Sequence, residues 1–126
     1  MINWKNPNPQ HIQVGGTKLE AQCYGPPPTE APTIIMLHEG LGCVALWRDF
    51  PSQLAKATGY GVFVYSRAGY GASDGSAPPK PLDYMTREAL DVLPLVLDEI
   101  SFQRGVLLGH SAVSYTHLTL PTILLV

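Results

Sequence analysis

Three short, almost uninterrupted apolar runs punctuate the chain: Thr33-Ile34-Ile35-Met36-Leu37, Gly61-Val62-Phe63-Val64-Tyr65 and Gly105-Val106-Leu107-Leu108. A strand with one wet face alternates apolar and polar residues, so a run that is apolar throughout predicts a strand covered on both faces. Upstream, residues 12–14 and 18–24 read as two further strands around Gly15-Gly16. Adjacent glycines supply the positive φ angles of a tight hairpin turn. The stretch Gly25-Pro26-Pro27-Pro28 is a stiff linker that cannot continue a strand. Between the first two buried runs a helix is predicted near residues 49–58. Asp49 can cap it, Pro51 suits its first turn, Phe50, Leu54 and Ala57 follow helical spacing, and Gly59 sits where a helix terminates. Pro78, Pro79 and Pro81 mark a surface loop, after which Asp83 can cap a longer helix with an apolar stripe of Leu90, Leu93, Leu97 and Ile100. Pro94 should kink that helix, because the Leu90 carbonyl loses its donor. Buried strands alternating with helices give an α/β fold, a mostly parallel sheet with right-handed crossovers and an antiparallel N-terminal hairpin.

Composition narrows the function classes. Of 126 residues, 45% are hydrophobic and 14% charged, which suits a globular domain rather than a disordered chain. The net charge of −2 and the absence of a basic patch argue against a nucleic-acid partner. Cys23 and Cys43 are far apart, with no His or Cys at metal-ligand spacing, and read as ordinary thiols in a reducing compartment. The N-terminus has no apolar core for a signal peptide, and the apolar runs fall short of the roughly 20 residues of a membrane helix. A cytoplasmic protein without a membrane partner is expected.

The most informative stretch is Leu107-Leu108-Gly109-His110-Ser111-Ala112. A buried strand ending in Gly-x-Ser is the first half of a nucleophile elbow, in which small residues let the chain reverse and leave the serine hydroxyl standing above the sheet edge. The backbone N–H of Ala112 would then point at a developing oxyanion. Position 113, where the elbow has a second glycine, is Val.

Three motifs follow three successive buried strands: His38-Glu39-Gly40-Leu41-Gly42, the turn Ser66-Arg67-Ala68-Gly69-Tyr70-Gly71-Ala72-Ser73-Asp74, and Gly109-His110-Ser111. Their order over residues 12–112 resembles the α/β-hydrolases, in particular the subfamily with His-Glu-Gly-Leu-Gly in its oxyanion loop. The resemblance implies a Ser/His/Asp hydrolase with a later cap domain, acting on an ester, amide or related acyl bond of a small molecule. It implies no metal and no organic cofactor. Ser111 is carried over as the nucleophile, with oxyanion donors at Ala112 and at Glu39 or Gly40. His38 braces the loop, and the catalytic base follows the nucleophile in chain order. The residues of the turn from Arg67 to Asp74 read as structural, and Cys43 as a packing residue. The alternative reading is a non-catalytic, ligand-binding protein of the hydrolase fold, against which an intact Gly-His-Ser turn argues.

Residues 113–126 depart from this pattern. Three Thr, a Ser and a Pro within residues 113–122 are poor material for a buried helix. They resemble instead a translated transposase sequencing adapter: the codons GTC TCT TAT ACA CAT CTG ACG CTG CCG ACG encode residues 113–122 in register. A variable index would cover residues 123–125, with GTG as Val126 and TAG as the stop. The expected organisation is a partial α/β-hydrolase domain at 1–112, truncated after its elbow, and a non-native tail at 113–126. His117 is the sole histidine after Ser111 and lies in that tail. A serine without its base is a weak nucleophile, so the 126-residue polypeptide is expected to be inactive and prone to aggregation.

Overall fold

The computed structural model describes residues 2–38, 43–75 and 88–109. Five strands form within them: β1 (Gln10–Val14), β2 (Thr17–Tyr24), β3 (Thr33–Leu37), β4 (Gly61–Tyr65) and β5 (Gly105–Gly109). They make one mixed sheet in the order β1-β2-β4-β3-β5. The three apolar runs lie side by side and parallel, β3 pairing with β4 on one edge and β5 on the other. β2 runs antiparallel to both β1 and β4, so the N-terminal hairpin extends the parallel trio sideways. Gly15 and Gly16, both with positive φ (56° and 80°), form the two-residue turn from β1 to β2. That sign pair matches the right-handed twist of the flanking strands.

Burial follows the pleat. Every residue of β3 and β4 is buried. Ile35, Leu37, Phe63, Tyr65 and Leu107 face one core with Ile12, Leu19, Ala21, Cys23 and the helix α2 (Leu93–Glu99). Ile34, Met36, Val62 and Val64 face the other, with Val44 and the helix α1 (Phe50–Thr58). A helix on each face is what makes both sides of these strands apolar.

Several local expectations are corrected by packing. Asp49 occupies the cap position of α1 but makes no capping bond; its carboxylate accepts from the Gln53 side chain at 2.9 Å. The buried positions of α1 are Pro51 and Ala55, while Ala57 is exposed and Phe50, also exposed, stacks on Trp47 at 6.2 Å between ring centroids. Gly59 does terminate α1 in the left-handed region, its N–H donating to the Ala55 carbonyl at 2.9 Å. In the second helical segment Leu93 and Ile100 are buried and Leu97 partly so, but Leu90 is 53% exposed and Val96 takes the remaining inward place. The reason is a π-helical turn at Glu88–Val92, which ends two residues before Pro94. A π turn is wider than an α turn, so it absorbs the missing proline donor and shifts the helical phase ahead of it. β5 is only half-buried, with Leu107 its one buried residue, and among the described residues it has a single strand neighbour. The proline-rich stretch at 78–81 and the Asp83 cap lie outside the described residues.

No described helix is long and apolar enough to cross a membrane. Both cysteines are free. Cys23 is buried near Gln10, Asn3 and Asn6, and burial raises its thiol from an ordinary 9.0 to about 11. The unfolded chain therefore releases this proton before the folded one does. The native state's advantage is intact below pH 9 and declines as pH rises from 9 towards 11. At pH 8, iodoacetamide should modify Cys23 at least roughly tenfold more slowly than half-buried Cys43, as mass spectrometry of time points would show.

Gly105 pairs with Thr33 at φ 156°, where an added Cβ would lie 2.7 Å from the Thr33 carbonyl carbon and 2.8 Å from its nitrogen. Gly105→Ala should destabilise the protein by about 1–3 kcal/mol, read as a lower midpoint in urea.

Candidate active site

The sheet's carboxyl edge is assembled by register. Leu37 of β3 pairs with Tyr65 of β4 and with Gly109 of β5, so the three parallel strands finish level. The chain leaves β3 towards β4 on one flank and re-enters as β5 on the other. The strand order thus reverses at the carboxyl ends of β3 and β5, the place where open α/β sheets bind ligands. Ser111 follows Gly109 by two residues, and Glu39 follows Leu37 by two. Ser111, Ala112, Glu39 and Gly40 themselves lie outside the described residues; the strand ends that lead to them lie within.

His38 is buried, and it is engaged from two sides by Arg67. The Arg67 backbone N–H donates to His38 Nε2 at 3.0 Å, and the Arg67 guanidinium donates to the His38 carbonyl at 2.8 Å. In the neutral ring this puts the proton on Nδ1 and occupies the lone pair on Nε2. Such a ring braces the chain and has no lone pair to offer as a general base. Tyr70 completes the cluster, its ring edge-on to His38 at 5.3 Å and under the Arg67 guanidinium at 5.4 Å. An aromatic face is a favourable seat for a buried guanidinium.

A second cluster sits beside it. Ser66, fully buried, accepts a hydrogen bond from the Val44 N–H at 2.8 Å and donates its own hydroxyl proton to Glu20 Oε1 at 2.9 Å. The same carboxylate oxygen accepts from the Ala72 N–H at 3.2 Å. Ser73 donates to the Ser66 carbonyl at 2.6 Å and accepts from the Glu20 N–H at 2.7 Å. Asp74 pairs with Lys18 through two bonds of 3.0 and 2.8 Å. Ser73 and Asp74 thereby continue the edge of β2 beyond the end of β4. Gly71 (φ 52°) is required at its position: a Cβ would sit 2.7 Å from Ser66 Oγ, 3.1 Å from Cys43 Cβ and against the Glu20 carboxylate. The turn's glycines and hydroxyls have the structural duties expected of them.

Sequence reasoning passed over Glu20 and gave Ser66 no duty of its own. The available signal was slight: a carboxylate on β2, which lies between β1 and β4 rather than at the sheet margin. Cys43 precedes a single 3₁₀ turn, Val44–Trp47, and its carbonyl accepts from the Leu46 N–H at 3.2 Å. Among the described residues no group of three or more His, Cys, Asp or Glu side chains could hold a metal. An open groove of about 340 Å³, lined by Trp4, Lys5, Tyr24 and Lys56 among others, lies at the opposite end of the sheet, where β2 finishes beside the start of β4.

The family model for the alpha/beta hydrolase fold matches residues 32–117, a span that takes in the His38 segment, the Arg67 turn and Ser111. Among solved structures the chain is similar to epoxide hydrolase A from Mycobacterium thermoresistibile, at 24% identity and a TM-score of 0.71 over 89% of this chain and 34% of that one. It is also similar to an alpha/beta hydrolase fold protein from Burkholderia ambifaria, at 23% identity and a TM-score of 0.66 over 94% and 38%. At these identities the likeness is one of fold. A third similar structure is Est816, described as an N-acyl homoserine lactone degrading enzyme, at 25% identity and a TM-score of 0.66 over 85% and 38%. The chain spans 34–38% of the length of these structures. No curated protein matches it significantly in sequence. With the family match covering more than half of the chain and the strand order and carboxyl edge in place, the chain belongs to the alpha/beta hydrolase fold family.

Proposed function

We propose that this chain is the nucleophile-bearing part of a serine hydrolase that cleaves an ester, amide or related acyl bond of a small molecule. The observation that carries the reading is the in-register parallel pairing of β3 and β5, with Leu37 opposite Gly109. It brings His38, the residue before Glu39, and Gly109, two residues before Ser111, to one switch point. A nucleophile and a loop of backbone donors are the two parts that acyl transfer needs close together.

In this reading Ser111 Oγ attacks the acyl carbon and its proton passes to a histidine. The carbonyl oxygen becomes an oxyanion held by the N–H of Ala112 and by that of Glu39 or Gly40. Collapse expels the leaving group, which takes the proton from the histidine, and water then cleaves the acyl-enzyme by the same route. No step calls for a metal or an organic cofactor. The histidine and its orienting acid follow the nucleophile in chain order, and we place both in a full-length protein of the relatives' length. Residues 1–112 are its hydrolase portion, and residues 113–126 are read as adapter-derived. Support for a hydrolase comes from the family match and from the likeness to Est816, an N-acyl homoserine lactone degrading enzyme. The substrate is set by parts of the full-length protein outside these residues.

Re-sequencing the gene across codon 112 with adapter-free libraries should find an open frame continuing beyond it, with a later Asp and His. The full-length protein should then be labelled by a fluorophosphonate probe, and Ser111→Ala should abolish labelling and lower ester turnover by at least about 10⁴-fold. A folded full-length protein that resists labelling would instead be a binding protein of this fold. A stop codon after a genuinely encoded Val126 would remove the claim of catalysis.

A further inference from the structure

The segment that carries the candidate oxyanion donors lies between two anchored residues, His38 directly before it and Val44, one residue beyond Cys43, after it. Each is held by one of two consecutive residues at the end of β4. Arg67 holds His38 through two hydrogen bonds of 3.0 and 2.8 Å, and Ser66 holds the Val44 N–H at 2.8 Å. Ser66 can accept from Val44 in this orientation because its own proton is directed to Glu20 Oε1 at 2.9 Å. Glu20 in turn is fixed on β2 by the backbone pairing of its carbonyl with the Ser66 N–H at 2.9 Å and of its N–H with Ser73 Oγ at 2.7 Å. Ser66 and Arg67 are 0% and 1% exposed, so water does not substitute for these partners. We infer that Glu20 and Ser66 are positioning residues for the oxyanion loop: they fix Val44, the C-terminal anchor of that loop, while Arg67 fixes His38, its N-terminal anchor.

The chemistry explains why the arrangement goes beyond packing. Oxyanion donors stabilise a transition state only if they are aimed before the charge forms, and small displacements of a catalytic group lower the rate steeply. A loop anchored at one end retains freedom to swing; one anchored at both ends does not. Ser66 is an asymmetric link in this respect. Its hydroxyl must accept from Val44, so the proton needs a separate acceptor, and the Glu20 carboxylate supplies it.

The inference rests on the serine hydrolase reading, and the test separates the two. In the full-length protein, hydrogen exchange across residues 38–47 is measured for wild type, Ser66→Ala, Glu20→Ala and Glu20→Gln. Ester kinetics, affinity for an oxyanion-forming trifluoromethyl ketone, and affinity for the corresponding alcohol are measured on the same proteins. Val96→Ala, a buried α2 position that takes no part in the bonds around His38 and Ser66, serves as a control for stability loss alone. We expect faster exchange at Val44 in Ser66→Ala and Glu20→Ala. We expect kcat and ketone affinity to fall together by about ten- to a hundredfold, with KM and alcohol affinity within about twofold. Glu20→Gln, whose amide oxygen still accepts from Ser66, should recover most of the activity, and Val96→Ala should leave kcat unchanged well below its Tm. Unchanged exchange at Val44, or faster exchange with unchanged kcat and ketone affinity, overturns the positioning role while leaving the hydrolase reading intact. A wild-type protein that binds no fluorophosphonate overturns both.

Discussion

Everything at the carboxyl edge depends on β3 being hydrogen-bonded along both of its sides while both of its faces are covered. Thr33 is the origin of this arrangement: it pairs with Gly61 of β4 on one side and Gly105 of β5 on the other. Both partners begin with glycine, and for related reasons. A Cβ on Gly61 would collide with the Pro26 carbonyl, and one on Gly105 would collide with the Thr33 backbone. The strands can therefore start level only because neither neighbour carries a side chain there. Level starts and equal lengths give level ends, which is why the residues after Leu37, Tyr65 and Gly109 emerge together. The edge is thus fixed from the opposite end of the sheet, by backbone contacts roughly five residues, or about 16 Å of strand, away.

The polar residues at that edge are tolerated because they satisfy one another. His38, Ser66 and Arg67 are almost wholly buried, and a buried polar or charged group without partners is strongly destabilising. Here the partners are shared: Arg67 serves both the ring and the carbonyl of His38, and Ser66 serves Val44 and Glu20 together. Sharing makes the cluster cooperative, since removing one member leaves two others wanting. It also ties β2 to the segment after β3 through Ser66, the residue that follows β4. The N-terminal hairpin consequently does more than widen the sheet: Glu20, Lys18 and their bonds to Ser73 and Asp74 fix the glycine-rich turn that in turn surrounds Ser66.

The parts of this structure that were legible in the sequence are those decided within a few residues. The apolar runs of β3 and β4, the paired glycines of the β1–β2 turn and the left-handed Gly59 are local requirements, and each is where its residues put it. The strand that ends at Gly109 belongs with them, because an apolar run that closes on a glycine is visible without its neighbours. What was misread depended on phase or on partners. Extending one helical period backward through Pro94 turned Leu90 inward, whereas the π turn at Glu88–Val92 rotates it outward. Phe50, Leu54 and Ala57 fit helical spacing as well as Pro51 and Ala55 do; Leu54 does pack against the core, whereas Ala57 is exposed and Phe50 stacks on Trp47 instead. Asp49 had the right residue type for a cap, yet Gln53 supplied a competing donor.

The brace around Ser66 was illegible for a different reason. It joins residues 20, 44, 66 and 72, contributed by β2, the turn after β3, the end of β4 and the glycine-rich turn, and no spacing rule relates them. A serine following a buried strand and a glutamate on a hairpin are individually unremarkable; their roles arise only when the β2–β4 pairing aligns Ala21 with Tyr65 and so carries Glu20 alongside Ser66. This separates two kinds of functional information in the fold. The atoms that would react are announced locally, because sharp turns and small residues are needed to expose them. The atoms that would aim them are recruited from distant positions, because a loop can be held still only by elements that are themselves held by the sheet.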